Sequence, residues 1–167
     1  MSALRRSRAI FFTLAILIAA LDQVTKAWVK LNLDIGESIL NIGFFRISPT
    51  YNTGASFGIF QGQNVLFAVI NLAGLAAILY FVLFRYRQLK MLGQTPVIVS
   101  LGLISGGIIG NLTDRLTSGR VTDFIDFTFW PAFNVADSAI VMGAILLGFI
   151  IILQTWNDRP SPDGEKT

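Results

Sequence analysis

Asn64-Val65-Leu66-Phe67-Ala68-Val69-Ile70-Asn71-Leu72-Ala73-Gly74-Leu75-Ala76-Ala77-Ile78-Leu79-Tyr80-Phe81-Val82-Leu83-Phe84 contains no charged side chain. A helix needs about 20 mainly apolar residues to cross a hydrocarbon core about 30 Å thick, and this stretch supplies them. Two more stretches downstream read the same way: Met91–Thr113, also uncharged, and Ser138–Trp156, which ends on a tryptophan suited to the lipid–water boundary. Upstream, Ala9–Leu21 is apolar and meets Asp22, but the pattern continues helically through Ala27, Trp28 and Val29. The fold class expected is therefore an all-α integral membrane protein with four transmembrane helices, at about 9–29, 64–84, 95–115 and 135–156. They form one domain over 1–157, and the tail 158–167, with Pro160, Pro162, Gly164 and mixed charge, reads as disordered.

Composition agrees with a bilayer as solvent. Of 167 residues, 53% are hydrophobic and only 14% charged, against about 25% charged in ordinary soluble domains. Mean hydropathy is +0.64. The chain has no cysteine and no histidine. Disulfides, thiolate nucleophiles, thiolate metal sites, the Ser-His-Asp triad and histidine zinc motifs are thereby excluded. Hydrolytic chemistry has to rest on carboxylates, lysine, serine or threonine, with no cofactor and no metal expected.

The net charge of +3 sits in small basic groups beside apolar runs, which indicates membrane orientation and not nucleic-acid binding. Arg5, Arg6 and Arg8 precede the first helix; Arg85, Arg87 and Lys90 lie between the second and third. Neither group contains an acid, so both are expected in the cytoplasm together with both termini. The three arginines ahead of 9–21 also fit a signal peptide, but the Asp22, Lys26 and Trp28 that follow offer no clean small-residue cleavage site. A retained helix is the better reading. Segments 30–63 and 116–133 then face outward. In the first, Ser38–Ser48 is partly alternating and β-prone, with Asn41 and Gly43 near a turn, so a small outward-facing β segment is expected at about 38–60 between helices one and two.

Ionisable groups near spans are costly and need a reason. On this topology Asp22, Asn52, Asn111, Asp114, Arg115, Asp123, Asp126, Asn134 and Asp137 all gather at the outward side. Asn111, Asp114 and Arg115 stand at i, i+3 and i+4, on one helical face. Asp114 and Arg115 are neighbours in sequence, so each should reach a different partner, and a buried ion-pair and hydrogen-bond network that holds helices together accounts for this trio best. Asn134 suits a helix N-cap, which would put Asp137 at N3. Capping alone could explain Asp137, but not a second acid, Asp123, set among apolar residues. Two carboxyls in a poorly solvated pocket cannot both ionise easily, so they share a proton. One can then activate water while the other polarises a carbonyl, the aspartic-protease solution. A Ser-Lys pair from Lys26 or Lys30 with Ser38, Ser48, Ser56 or Ser118 has no distinguishing spacing. A proton carrier would place its acids near the midplane rather than at one end.

Five motifs in order carry a family resemblance: Asp22-Gln23-Val24-Thr25-Lys26, Asn52-Thr53-Gly54-Ala55-Ser56-Phe57, Gly106-Gly107 through Gly110-Asn111-Leu112-Thr113-Asp114-Arg115, Val121-Thr122-Asp123-Phe124-Ile125-Asp126, and Phe133-Asn134-Val135-Ala136-Asp137. With the four spans they cover nearly the whole chain, and the chain resembles the lipoprotein signal peptidases (signal peptidase II). The resemblance implies a multi-pass enzyme of the bacterial cytoplasmic (inner) membrane, acting near its outer face. It implies cleavage of diacylglyceryl-modified prolipoproteins just before the lipidated cysteine, with Asp123 and Asp137 as the catalytic aspartates. An older assignment would put the first at Asp114. Asn52, Gly54, Asn111, Arg115, Asn134 and Ala136 are expected to line the pocket, with Asp114 as structural support and with Asp22 and Lys26 tying helix one to the outward segment. The implied partners are prolipoproteins, membrane lipid and globomycin-type inhibitors, with the enzyme monomeric. The connection 124–133 between Asp123 and Asn134 is shorter than is common in that family.

Overall fold

The computed structural model describes residues 3–54, 62–85 and 95–157. The expected tail 158–167, Arg87 and Lys90 of the basic loop, and Ala55, Ser56 and Phe57 of the second motif lie outside them. The chain runs α1 (Ala3–Asn32), β1 (Phe45–Asn52), α2 (Asn64–Tyr80, prolonged by a π turn over Phe81–Arg85), α3 (Thr95–Ser118), β2 (Val121–Phe127), β3 (Trp130–Phe133) and α4 (Val135–Asn157). Four helices are long and apolar enough to cross a membrane: Leu4–Asn32, Asn64–Arg85, Thr95–Ser118 and Val135–Asn157. α1 starts six residues before the expected 9 (3 against 9) and ends three after the expected 29, because Asp22 and Lys26 lie within one unbroken helix.

α3 is the central helix, packed on α1, α2 and α4. Glycines make the closest of these contacts possible. A methyl group on Gly110 would lie 2.5 Å from a carboxylate oxygen of Asp22 on α1, and one on Gly107 would collide with the Ala136 carbonyl of α4. The two ends of the bundle are chemically opposite. At one end Phe11, Val82, Val97, Ile98, Leu101 and Ile150 form an apolar core, where Arg8 Nη2 donates to the Leu83 carbonyl at 2.6 Å. At the other, the C-terminal parts of α1 and α3 meet the first turn of α4 around buried Asp22, Lys26, Asn111, Asp114 and Asn134.

The β structure corrects the sequence reading. Among the described residues the expected segment supplies β1, paired antiparallel to β2, and β2 in turn pairs with β3 in the order β1-β2-β3. Two of the three strands thus come from the connection between α3 and α4, not from the one between α1 and α2. Val121–Phe127 hides its strand character because acids at 123 and 126 fall on opposite faces, so neither face alternates cleanly. Phe45 faces Phe127 in register, with ring centroids 5.1 Å apart, and Arg46 faces Asp126 with a 2.6 Å ion pair. The turn expected near Asn41 and Gly43 is present: Gly43 N donates to Asn41 Oδ1, and Ile39 bridges Ile47 across it.

Both partners of β2 carry one extra residue. β1 advances from Ile47 to Thr50 while β2 advances from Ile125 to Asp123, and β3 shifts likewise between Phe133 and Trp130. Each irregular stretch contains a proline, Pro49 or Pro131, which cannot donate to a ladder and is tolerated at such bulges. Bulges bend a strand and increase its twist. The first of them lies beside Asp123.

Candidate active site

Asn134 caps α4 in both directions. The Asp137 N–H donates to Asn134 Oδ1 at 2.9 Å, and the Asn134 N–H donates to Asp137 Oδ2 at 3.2 Å. This is a capping box with aspartate in the N3 place, satisfying two helix-terminal donors at once. The cap engages only one oxygen of Asp137. The other, Oδ1, accepts from Asn111 Nδ2 at 2.7 Å. Asp123, from β2, is 3% exposed; its Oδ1 accepts from Asn134 Nδ2 at 2.7 Å and its Oδ2 from Asn52 Nδ2 at 3.2 Å. Burial, and after it the nearby Asp137 carboxyl, pushes the Asp123 carboxyl from 3.8 up to about 7. The amides of Asn52 and Asn134 and the charge of Lys26 pull the other way and are outweighed.

The orientation of each asparagine amide follows from a neighbour that can act only as a donor. Asn111 Oδ1 accepts from Lys26 Nζ at 2.9 Å, so its NH2 must face Asp137. Asn134 Oδ1 accepts from the Asp137 N–H, so its NH2 faces Asp123. Asn52 Oδ1 accepts from the Gly54 N–H at 2.9 Å, so its NH2 also faces Asp123. Asn134 Nδ2 lies 3.1 Å from Asn111 Oδ1 as well, which links the two carboxyls through a pair of side-chain amides. Three amides thus present N–H groups to two carboxyls, and none can turn its oxygen inward without losing its own donor.

Behind this shell is a buried charge cluster. Lys26 Nζ is 2.8 Å from Asp22 Oδ2 and 3.4 Å from Asp114 Oδ2, with all three side chains at most 1% exposed. Asp22 Oδ1 accepts the Ala136 N–H at 3.0 Å, and Asp114 Oδ2 accepts the Thr122 N–H at 2.9 Å. Each acid therefore fixes the main chain one residue before one of the central carboxyls. Among the described residues, the partners of Asp22 and Lys26 outside α1 lie on α3 and α4, which pack against that end of α1. Asp114 has its charge met by Lys26 and Lys30.

Arg115 reaches other partners than Asp114 does. Among the described residues it has no ion pair; Nη2 donates to the Gly54 carbonyl at 3.4 Å and the guanidinium stands 5.6 Å from the Phe67 ring centroid. Its side chain spans from α3 to α2 and to the end of β1, since Lys26 and Lys30 already occupy Asp114. Asp126, on the half-exposed part of the sheet, is paired with Arg46 and takes no part in the cluster. The hydroxyls of Ser48 and Ser118 donate to main-chain carbonyls of Glu37 and Asp114, and the lysines they would have to serve are held by acids. Sequence reading missed Gln23, whose Nε2 donates to the Gly110 carbonyl at 3.0 Å, and Lys30. Lys30 had a usable signal: Asp22, Lys26 and Lys30 recur every four residues, on one face of α1.

The comparisons with known proteins agree with one another. The family model described as Signal peptidase (SPase) II matches residues 14–153. A lipoprotein signal peptidase of Moorella thermoacetica is 39% identical over 154 residues, covering 91% of this chain and 99% of the relative. One of Bacillus pumilus is 38% identical over 162 residues, covering 94% and 96%. A solved structure described as a bacterial membrane enzyme determined by the in meso method at 2.3 Å resolution superposes with a TM-score of 0.78 at 31% identity, covering 90% of this chain and 92% of the other. Since the matched span runs from α1 to α4 and takes in every residue of the buried cluster, the chain belongs to the signal peptidase II family of peptidases.

Proposed function

We propose that this protein removes the signal peptide from diacylglyceryl-modified prolipoproteins, cleaving before the lipidated cysteine with Asp123 and Asp137 as an aspartic dyad. The observation that carries this reading is the pairing of buried Asp123 on β2 with half-buried Asp137 on α4 through Asn134 and Asn111, with Asp123 raised to about 7. A carboxyl so placed keeps its proton near neutral pH, as a dyad requires.

In this reading the shared proton rests on Asp123. The oxygens of both carboxyls accept from N–H groups, so the assignment follows from the raised Asp123 carboxyl, with Asp137 as the ionised partner. Asp137 takes a proton from water as the water oxygen adds to the scissile carbonyl carbon, and the Asp123 proton hydrogen-bonds the developing oxyanion. When the tetrahedral species collapses, the C–N bond breaks and that proton goes to the amine of the lipidated cysteine. The shared proton ends on the other carboxyl. Asn52, Asn111 and Asn134 hold the pair in place, while Gly54, Arg115 and Ala136 belong to the walls. The basic groups near α1 and α2 orient both termini toward the cytoplasm, which leaves the dyad and the three-stranded sheet near the outer face of the inner membrane. There a cleft open to lipid admits acyl chains while the peptide meets the acids, and a single chain supplies every group named.

The test is a gel-shift cleavage assay on purified diacylglyceryl-modified prolipoprotein. Asp123→Asn and Asp137→Asn should each lower turnover by about 10²–10⁴-fold or more, whereas Asp126→Asn should cleave as wild type does. Wild-type turnover by either dyad variant, or an inert wild type on a verified substrate, would overturn the proposal.

A further inference from the structure

Lys26 is an unusual residue to find fully enclosed. It is 1% exposed, and burying an ammonium is costly unless it is paired and hydrogen-bonded. Simple charge balance does not explain where its head group points. Asp22, one turn earlier on the same helix, neutralises it at 2.8 Å, and Asp114, 3.4 Å from Lys26, has Lys30 at 3.4 Å as a second cation. Yet the Nζ also reaches 2.9 Å from Asn111 Oδ1, on another helix. That contact has a consequence for chemistry. An ammonium has three N–H donors and no lone pair, so it dictates which end of the Asn111 amide it meets. The opposite end, Nδ2, then falls 2.7 Å from Asp137 Oδ1, the oxygen left over from the helix cap. Polarised by the cation on its oxygen side, the amide donates more strongly on its nitrogen side, as hydrogen bonds in a chain reinforce one another.

We infer that Lys26 is a positioning residue for peptide cleavage: through the Asn111 amide it fixes the orientation of the Asp137 carboxylate and favours its ionised form for attack on water. The inference rests on the reading of Asp137 as a dyad member. Lys26 is enclosed, and among the described residues its polar contacts are Asp22, Asp114 and Asn111, not either dyad carboxyl. Its contribution reaches the reaction through one side-chain amide, and any substrate that binds normally would still be cut slowly without it.

Lys26→Met would strand Asp22 in a buried site and risks unfolding. The double variant Lys26→Met/Asp22→Asn removes the pair together, keeps an amide oxygen for the Ala136 N–H and leaves Asp114 with Lys30. A lysine that merely neutralises Asp22 predicts full turnover in this folded, charge-balanced protein. A positioning lysine predicts a kcat lower by roughly 10–100-fold, the range for groups that orient a reacting residue, with KM unchanged. Thermal unfolding in the same detergent establishes that the variant is folded, and wild type and Asp137→Asn are assayed beside it on the same diacylglyceryl-modified prolipoprotein. Wild-type kcat in the folded double variant, or a rise in KM with kcat intact, would overturn the role assigned to Lys26 while leaving the dyad standing. Wild-type turnover by Asp137→Asn would instead remove the dyad itself.

Discussion

At Asp137 one carboxylate oxygen closes the cap of α4 and the other accepts from Asn111, so a single side chain links a helix start to the α3 cluster. The capping part could be read from Asn134 standing three residues before it, because caps are local. The Asn111 part could not, since that partner lies 26 residues away on another helix. The same limit hid the destination of Lys26, 85 residues from Asn111 in sequence. Asp123 illustrates the energetic cost of such a site. Its carboxyl is raised from 3.8 to about 7, so between those values the folded chain holds a proton that the unfolded chain has released. The contribution of this group to stability is therefore present at low pH and declines as pH rises through that window. Asp123→Asn, which keeps an acceptor for Asn134, should melt above wild type at about pH 8, and the margin should shrink toward about pH 4. A margin independent of pH would show that Asp123 is ordinary.

The elements were legible to different degrees. The four helices announce themselves by long apolar runs, since a bilayer leaves few other ways to satisfy a backbone. β2 and β3 escape a sequence reading because β2 carries acids on both faces, while β3 is only four residues long and irregular at Pro131, so neither shows a clean two-residue period. The Gly106–Arg115 segment was readable as a close helix contact, though not for its most specific use, which is room for a carboxylate. Gly110→Ala would put a methyl 2.5 Å from Asp22 Oδ2. Overpacking of this kind costs about 1–3 kcal/mol, and here the displaced group is the acid that holds Lys26 and the Ala136 N–H. The variant should melt earlier and cleave more slowly. Unchanged melting and activity would mean that α1 and α3 separate freely at this point.

Across the whole molecule the division is axial: an apolar core between α1, α2, α3 and α4 at one end, and a charged and amide-rich cluster roofed by a three-stranded sheet at the other. Orientation in the membrane rests on the lysine and arginine bias, and it can be tested because the chain has no cysteine. Ser38→Cys, beside the sheet, should react with a membrane-impermeant maleimide in intact spheroplasts, and Asn157→Cys, at the end of α4, only after permeabilisation. The reverse pattern would invert the topology. The central claim, that two carboxyls share one proton and together hydrolyse the signal peptide bond, is tested most directly by the pH dependence of kcat/KM on a diacylglyceryl-modified prolipoprotein. A bell-shaped profile is expected, its alkaline limb falling as Asp123 loses its proton above about 7, with Asp123→Asn and Asp137→Asn slower than wild type by about 10²-fold or more throughout. A rate that climbs steadily through that region, or wild-type turnover by either variant, would contradict it.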